Sequence, residues 1–570
     1  MANPAARSLR LGRGELALLA TLVGFVGLLA VWPMARLVLE GVAPRGRLDL
    51  SILVRILQSP VTWRVTWHTL ETSLFGTAVS LLIGGAFALC VALTDMRARA
   101  VLVFFFMLPL MIPSQITALA WISLLGPSSA LLNAVGLAPA PGSPHPMYTR
   151  EGIILLLGIE HAPLVFLALR AGLRAMPREM VEAARAAGAS RFKVMRSIVL
   201  PLMTPALAIG GALAFVASIG NFGTPALLGI PVGYDTLTTL IYQRLAGFGP
   251  SIIAEAAALS LLIGAIACLG VLAQGWLVGR RDYRTIGAPS QSAVWRLGVF
   301  RPGVETAAWL VVVFLVALPA LALVAASLVP AAGVALSPSS ATFGNYIQAL
   351  VIQAQTSRAF ANSFLLAGLT AAILLTVAIP LGYFLAWRDR RLMRWLSFAI
   401  ELPYALPGIV LAIACILVFL KPIPLIEVSI YGTLGIILVA YLARFLALSL
   451  RPVTSGFAQL DRTLDDAAAA TGARFFFRLR TVIVPLLAPV AAAGAILVFL
   501  TALNELTVSA LLWSAGSETL GVIVFSLAEG GDSPLAAAVS VVSSLAILAL
   551  MGLASAMAKR LPEGVLPWAR

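Results

Sequence analysis

The 570-residue sequence predicts an all-α polytopic membrane protein of about twelve transmembrane helices, and three observations carry that expectation. Hydrophobic residues make up 60% of the chain and charged ones only 11%, where a soluble domain is about a quarter charged. Apolar runs of roughly 20 residues, enough to cross a bilayer, recur along the whole length. Basic clusters fall in every second connection between those runs. Together these exclude a large water-soluble globule and any long disordered tract.

The spans follow in order. Arg7, Arg10 and Arg13 lead into an apolar run at 16–39, too long for a signal-peptide core and without a small-residue cleavage site, so it reads as an anchor. Further spans are expected near 67–94, 101–125, 150–170, 203–229 and 252–278. After a polar, basic, turn-rich stretch they resume near 305–329, 360–387, 396–420, 432–451, 486–513 and 533–556. Basic residues gather at the N-terminus, at Arg97/Arg99, from Arg170 to Arg196, from Arg280 to Arg301, from Arg388 to Arg394, from Arg451 to Arg480, and at Lys559/Arg560/Arg570. This positive-inside alternation puts both termini in the cytoplasm. It explains the net charge of +15 by topology, with no nucleic-acid partner.

The two halves repeat each other. The displacement that carries Asp95 onto Asp389 also carries Pro109 onto Pro403 and Pro113 onto Pro407. A slightly shorter one carries Gly188 onto Gly472, Pro201 onto Pro485 and Ala226–Leu228 onto Ala510–Leu512; the difference falls in the longer outer connection at 126–149. Six spans per half is an even number, so the repeats run parallel, related by an axis along the membrane normal. The expected domains are 1–278 and 305–570, joined by a cytoplasmic linker at 279–304.

The longest cytoplasmic connection of each half, 177–201 and 461–485, holds the most specific signal. Pro177 and Asp461 suit the start of a helix. Gly188 and Gly472 suit the left-handed residue that ends one. Between them lie about three alanine-rich turns, and a second helix runs on to Pro201 or Pro485. A short small-residue helix with an outward carboxylate, Glu182 or Asp466, can seat in a partner's groove. A single copy would be an ordinary helical hairpin; two copies with the same glycine-to-proline spacing favour a docking device.

Glu182-Ala183-Ala184, then Gly188, then Ile198-Val199-Leu200-Pro201 resembles the EAA motif of binding-protein-dependent ABC importer permeases. The second copy, Asp466-Ala467-Ala468 through Gly472 to Pro485, departs by Asp for Glu and Val for Leu. The resemblance spans essentially the whole chain as two fused permease domains of type I importer kind. It implies that Glu182, Ala183, Ala184 and Gly188, with Asp466, Ala467, Ala468 and Gly472, form coupling helices docked on two copies of a cytoplasmic ATPase. It also implies one soluble solute-binding protein outside a bacterial inner membrane, no cofactor on this chain, and ATP and Mg used by the partner. A narrower likeness, at Asn221–Gly229 and from Glu505 to Leu512 with Thr519-Leu520, is to fused ferric-iron permeases; thiamine, polyamine and aminoethylphosphonate permeases are relatives.

The chain carries no ATPase site of its own. A P-loop needs Lys followed by Ser or Thr, and Lys193, Lys421 and Lys559 precede Val, Pro and Arg. An ion-gradient-driven transporter could also have twelve helices in repeated halves, but would not need paired docking helices. No nucleophile–base arrangement suggests an enzyme.

Ionisable groups within spans are costly and become functional candidates. Glu160 and Arg444 occupy equivalent positions, which suggests either an ion pair across the halves or separate pairing within each. Asn221 and Glu505 are likewise equivalent and are candidates for lining a pathway, the alternative being a local backbone hydrogen bond. The proline pairs Pro109/Pro113 and Pro403/Pro407 should kink their spans. Cys90, Cys268 and Cys415 read as buried packing residues, and His68, His145 and His161 as satisfied histidines without metal-ligand spacing.

Overall fold

Apolar helices make up nearly all of the computed structural model, which describes residues 12–247, 251–279, 295–388, 391–422, 427, 429–503 and 505–557. Arg7, Arg10, most of the linker, Asp389 and the Lys559/Arg560/Arg570 tail lie outside the described residues. Eleven helices among the described residues are long and apolar enough to cross a membrane, or twelve if the bent pair Arg391–Ala405 and Gly408–Phe419 counts as one. The chain is an all-α polytopic membrane protein.

Two of the expected spans are broken rather than kinked. Helix Leu108–Met111 stops at Ile112, and a new 12-residue helix, Ser114–Leu125, begins after Pro113. In the second half Arg391–Ala405 and Gly408–Phe419 meet at 110° around Pro407. A residue before proline is pushed out of the helical region, and Ile112 accordingly has ψ 135°. The spans expected at 203–229 and 486–513 also end early, at Gly220 and Leu503. Short helices Gly223–Gly229 and Ser509–Leu512 follow each break.

Proline leaves a second mark. π-helical turns at Gly27–Val31, Met195–Val199, Val313–Ala317 and Leu479–Ile483 each end two residues before a proline, at 33, 201, 319 and 485. A proline ring clashes with the carbonyl four residues back. Widening the preceding turn to a five-residue hydrogen bond moves that carbonyl aside. Pro201 and Pro485, which close the segments 177–201 and 461–485, therefore set how the next span departs.

The helix Pro60–Leu93 shows how polar residues are housed in such a fold. Thr66, Thr69 and Thr77 donate to carbonyls four residues back on their own helix, each at 2.7 Å. Gly84 lets this helix meet Arg150–Ala175 closely, since an added Cβ would stand 2.2 Å from the Ala162 carbonyl oxygen. Small residues at helix contacts are the membrane substitute for a water-driven core.

Spans one and seven cross over. The first, Arg13–Val42, packs on helices of the second half, with Trp32 against Phe419 at 6.3 Å between rings. The seventh, Gly298–Ser327, packs on Arg99–Phe106 and Ser114–Leu125 of the first half, with Phe314 against Trp121 at 5.6 Å.

Candidate functional site

The segments 177–201 and 461–485 fold alike. Helix Arg178–Ala186 ends where Gly188 takes φ +82°, and helix Thr463–Ala470 where Gly472 takes φ +83°. At each end the residue after the glycine donates back to the alanine that closes the motif, Ala189 to Ala184 at 3.0 Å and Ala473 to Ala468 at 3.3 Å. This is the six-to-one bond of a left-handed helix stop. Glu182, Ala183, Asp466 and Ala467 are exposed, while Ala184 and Ala468 are half-buried. No atom lies within 4 Å of a side chain added at either glycine, so the left-handed backbone alone favours glycine there.

Their anchors differ in kind. The alignment that pairs the two glycines pairs Val181 with Asp465 and Val194 with Arg478; the one that pairs Pro113 with Pro407 pairs Leu89 with Tyr383. Val181, 1% exposed, sits in an apolar cluster with Leu93, Leu173, Met176 and Val194, against which Leu89 and Trp295 pack. Asp465, 4% exposed, accepts a 3.1 Å bond from the Tyr383 hydroxyl and faces Arg478 at 3.3 Å. Arg478 also donates to the Asp465 carbonyl at 3.2 Å, tying Thr463–Ala470 to Phe475–Arg478 twice. Around this triad Tyr383, Trp387, Phe457 and Phe475 stack edge to face.

Each crossing span is latched beside the anchor it overlies. Glu15, near the start of span one, pairs with Arg388 at 3.1 Å. Arg301, at the start of span seven, pairs with Asp95, adjacent to the position equivalent to Arg388. The polarity is reversed between the two latches. Asp95 also accepts from the Leu297 backbone at 2.8 Å, and Trp295 bonds to both Leu93 and Asp95. The Leu297 N–H above all, with Arg301, holds the Asp95 carboxyl below the usual carboxylate range.

Within the membrane, of the two arrangements expected for Glu160 and Arg444, the structure shows separate partners within each half and no pair across them. Glu160 receives Asn221 Nδ2 at 2.8 Å and Thr224 Oγ1 at 2.6 Å. Arg444 instead faces Glu505, Nε to Oε1 at 3.7 Å. Each charge thus faces groups of its own half, closely for Glu160 and at longer range for Arg444. Asn221 and Glu505 both act as caps of the break they occupy: Thr224 N–H donates to Asn221 Oδ1 at 3.1 Å, and Val508 N–H to Glu505 at 2.9 Å. The residue three places on is served in both halves, by an amide in one and a carboxylate in the other. The breaks were hidden because a capping Asn or Glu inside an apolar run looks like a lone polar group in a span.

The remaining expectations divide. His68 bonds the Asp235 carbonyl, His145 that of Ile122, and His161 the Ser218 hydroxyl. Among the described residues no group of three or more His, Cys, Asp or Glu could hold a metal ion. Cys415 is buried and Cys90 half-buried, but Cys268 lies on the outside of its span, a correction to the packing role expected for all three.

The profile of the binding-protein-dependent transport system inner membrane component family matches residues 76–281 and 378–565. An ABC transporter permease protein of Sinorhizobium fredii, y4fN, is 28% identical over 89% of this chain and 88% of its own length. The ferric transport system permease protein FbpB of Actinobacillus pleuropneumoniae is 26% identical over 88% of this chain and 72% of its own. A 2-aminoethylphosphonate transport system permease protein of Salmonella paratyphi A, PhnV, is 29% identical over 30% of this chain and 63% of its own.

Proposed function

The chain belongs to the family of binding-protein-dependent transport system inner membrane components, and we propose that it is the whole permease of one ATP-driven importer, two domains at 1–278 and 305–570 fused through the 279–304 linker. As an ABC permease it passes a solute delivered by a binding protein across the membrane. Two ATPase copies dock below on the helices that carry Glu182, Ala183, Ala184 and Asp466, Ala467, Ala468, each ended by its glycine. One solute-binding protein docks above, and both termini lie in the cytoplasm of a bacterial inner membrane.

The observation that carries this reading is the pair of exposed helices with the same left-handed stop and the same outward carboxylate. Closure of the ATPases would draw the two helices together. The anchors then pass that motion on: Asp465 moves the end of Ala354–Trp387 through Tyr383, and Val181 moves the end of Pro60–Leu93 through the apolar cluster. The latches carry span one with the second segment and span seven with the first. Direction comes from partners that bind the two states unequally.

Ferric iron is the cargo we put first, supported by likeness to ferric permeases over most of the chain; aminoethylphosphonate, thiamine and polyamines follow. The test is uptake of radiolabelled ferric iron in cells with and without the gene, with the other solutes in parallel. Uptake that requires the gene and is abolished by Glu182→Lys with Asp466→Lys supports the reading. Gene-dependent uptake that survives both reversals and stops when the proton gradient collapses overturns it.

A further inference from the structure

We propose that the seam between the halves holds a contact site for an oxyanion-bearing solute, built from Arg444, Gln115 and the N-terminal ends of the helices Ser114–Leu125 and Gly408–Phe419. The site presupposes the importer reading above and names the chemical group that its pathway receives.

The two carboxylates there are already engaged. Glu160 has turned both oxygens to Asn221 and Thr224. Glu505 gives both oxygens to backbone N–H groups, those of Val508 and Ser509. Arg444 is left with long contacts only, 3.7 Å to Glu505 and 3.5 Å to the Leu406 carbonyl, beyond the range of a good hydrogen bond. Gln115 is 1% exposed, and its Nε2 has no partner.

Both donors flank the same loop. A Cβ added at Gly521 would stand 3.2 Å from Gln115 Nε2 and 3.1 Å from Leu506 Cβ. One added at Gly408 would stand 2.9 Å from an Arg444 terminal nitrogen and 2.8 Å from Thr507 Cβ. The halves touch here too, with Gly220 against Pro407. Two helices begin at this level, each behind a proline, and their first N–H groups have no partner within the helix. A 12-residue helix is about 18 Å long, well short of the roughly 30 Å hydrocarbon layer, so such an N-terminus opens inside the membrane when the far end reaches the surface. Broken helices present their positive ends to anionic groups in this way.

The Arg444 N–H groups and Gln115 Nε2 are hydrogen-bond donors without close acceptors, so they suit an oxyanion and offer nothing to coordinate a bare polyvalent cation. Ferric iron would therefore pass as a complex whose outer groups are carboxylate or phosphate oxygens, and a phosphonate solute would offer the same group directly.

Thiol labelling reads the local charge without requiring transport. Thr507, half-buried beside Arg444, is replaced by Cys in the full chain with Cys90, Cys268 and Cys415 changed to Ala. Membrane vesicles are then treated with negatively and positively charged methanethiosulfonates. Relative to a free thiol, the negative reagent should be favoured at least about tenfold, the scale on which a charged cleft concentrates counter-ions. Arg444→Gln should bring the preference to within about twofold of the free thiol, and Gln115→Glu should reduce it. A preference for the positive reagent, or one indifferent to Arg444→Gln, overturns the site.

Uptake of ferric citrate and of 2-aminoethylphosphonate by cells with the intact transporter separates the two sources. The true cargo is the one whose uptake Arg444→Gln abolishes and Arg444→Lys partly restores. Labelling asymmetry with uptake of no solute defeats the importer reading while the charge preference stands; uptake without asymmetry defeats the site while the importer stands.

Discussion

The segments 177–201 and 461–485 present the same outer face and are held by opposite chemistry. Beneath the first, Leu89, Val181 and Val194 make an apolar plug; beneath the second, Tyr383, Asp465 and Arg478 make a hydrogen-bonded ion pair at the same three positions. Apolar packing tolerates sliding and small rotations. A carboxylate held by a phenol and a guanidinium has one geometry. The second helix is therefore tied more rigidly to its span than the first, although both offer a partner the same small-residue surface.

Breaking that contrast should begin with Val181→Asp. It sets a carboxylate among the apolar side chains of that cluster, and the lost stability should reach about 4–5 kcal/mol, the scale of an uncompensated buried charge. The variant should fail to accumulate in membranes on immunoblots. Asp465→Ala comes next, at about 3–5 kcal/mol, because Arg478 then stays buried without its counter-ion; the check is the thermal midpoint of the purified protein in detergent. Val181→Ala should cost less, about 2 kcal/mol from lost methyl burial and the cavity left.

The sharpest version copies one anchor onto the other. Tyr383→Leu, Asp465→Val and Arg478→Val together should bring the stability back to within about 1–2 kcal/mol of wild type, since apolar groups of similar shape often replace a buried ion pair without loss. If that variant melts normally and yet couples ATP hydrolysis to uptake poorly, the rigidity of the polar anchor is what coupling uses. Full coupling would show the two anchors to be interchangeable. The smallest effect belongs to Gly188→Ala and Gly472→Ala. Each should cost about 1 kcal/mol for a left-handed alanine, and unequal costs would show that the two stops are not the same.

Much of this was legible in the sequence. The spans, the alternation of charge and the glycine-ended helices follow from periodicity and local chemistry, because apolar runs and left-handed stops depend on near neighbours. The polar anchor was not. Asp465 stands one place before Asp466 and was passed over, although a charge where the first copy has Val181 was the available signal. Its partners Tyr383 and Arg478 come from distant segments, and only the fold shows that they converge. The breaks at Asn221 and Glu505 look like uninterrupted spans in the sequence, since hydropathy measures how apolar a run is and not whether its backbone is capped. Glu160 and Arg444 were given a possible partner by symmetry alone, and symmetry is silent about the nearer groups that took them.

The crossing of span one has a consequence in time. Glu15 meets a residue 373 positions later in the chain. At roughly 5–20 residues per second of synthesis, the first span waits about 20–75 s before the helix end that latches it has been made. During that interval Ile252–Gly279 of the early half can already pack on Trp32–Val42, but the face that bears Trp32 lies in the bilayer without the second-half helices that cover it. A chaperone that shields the face bearing Trp32 would act earlier than any partner subunit, and slowing translation before Arg388 would lengthen the period in which it is needed.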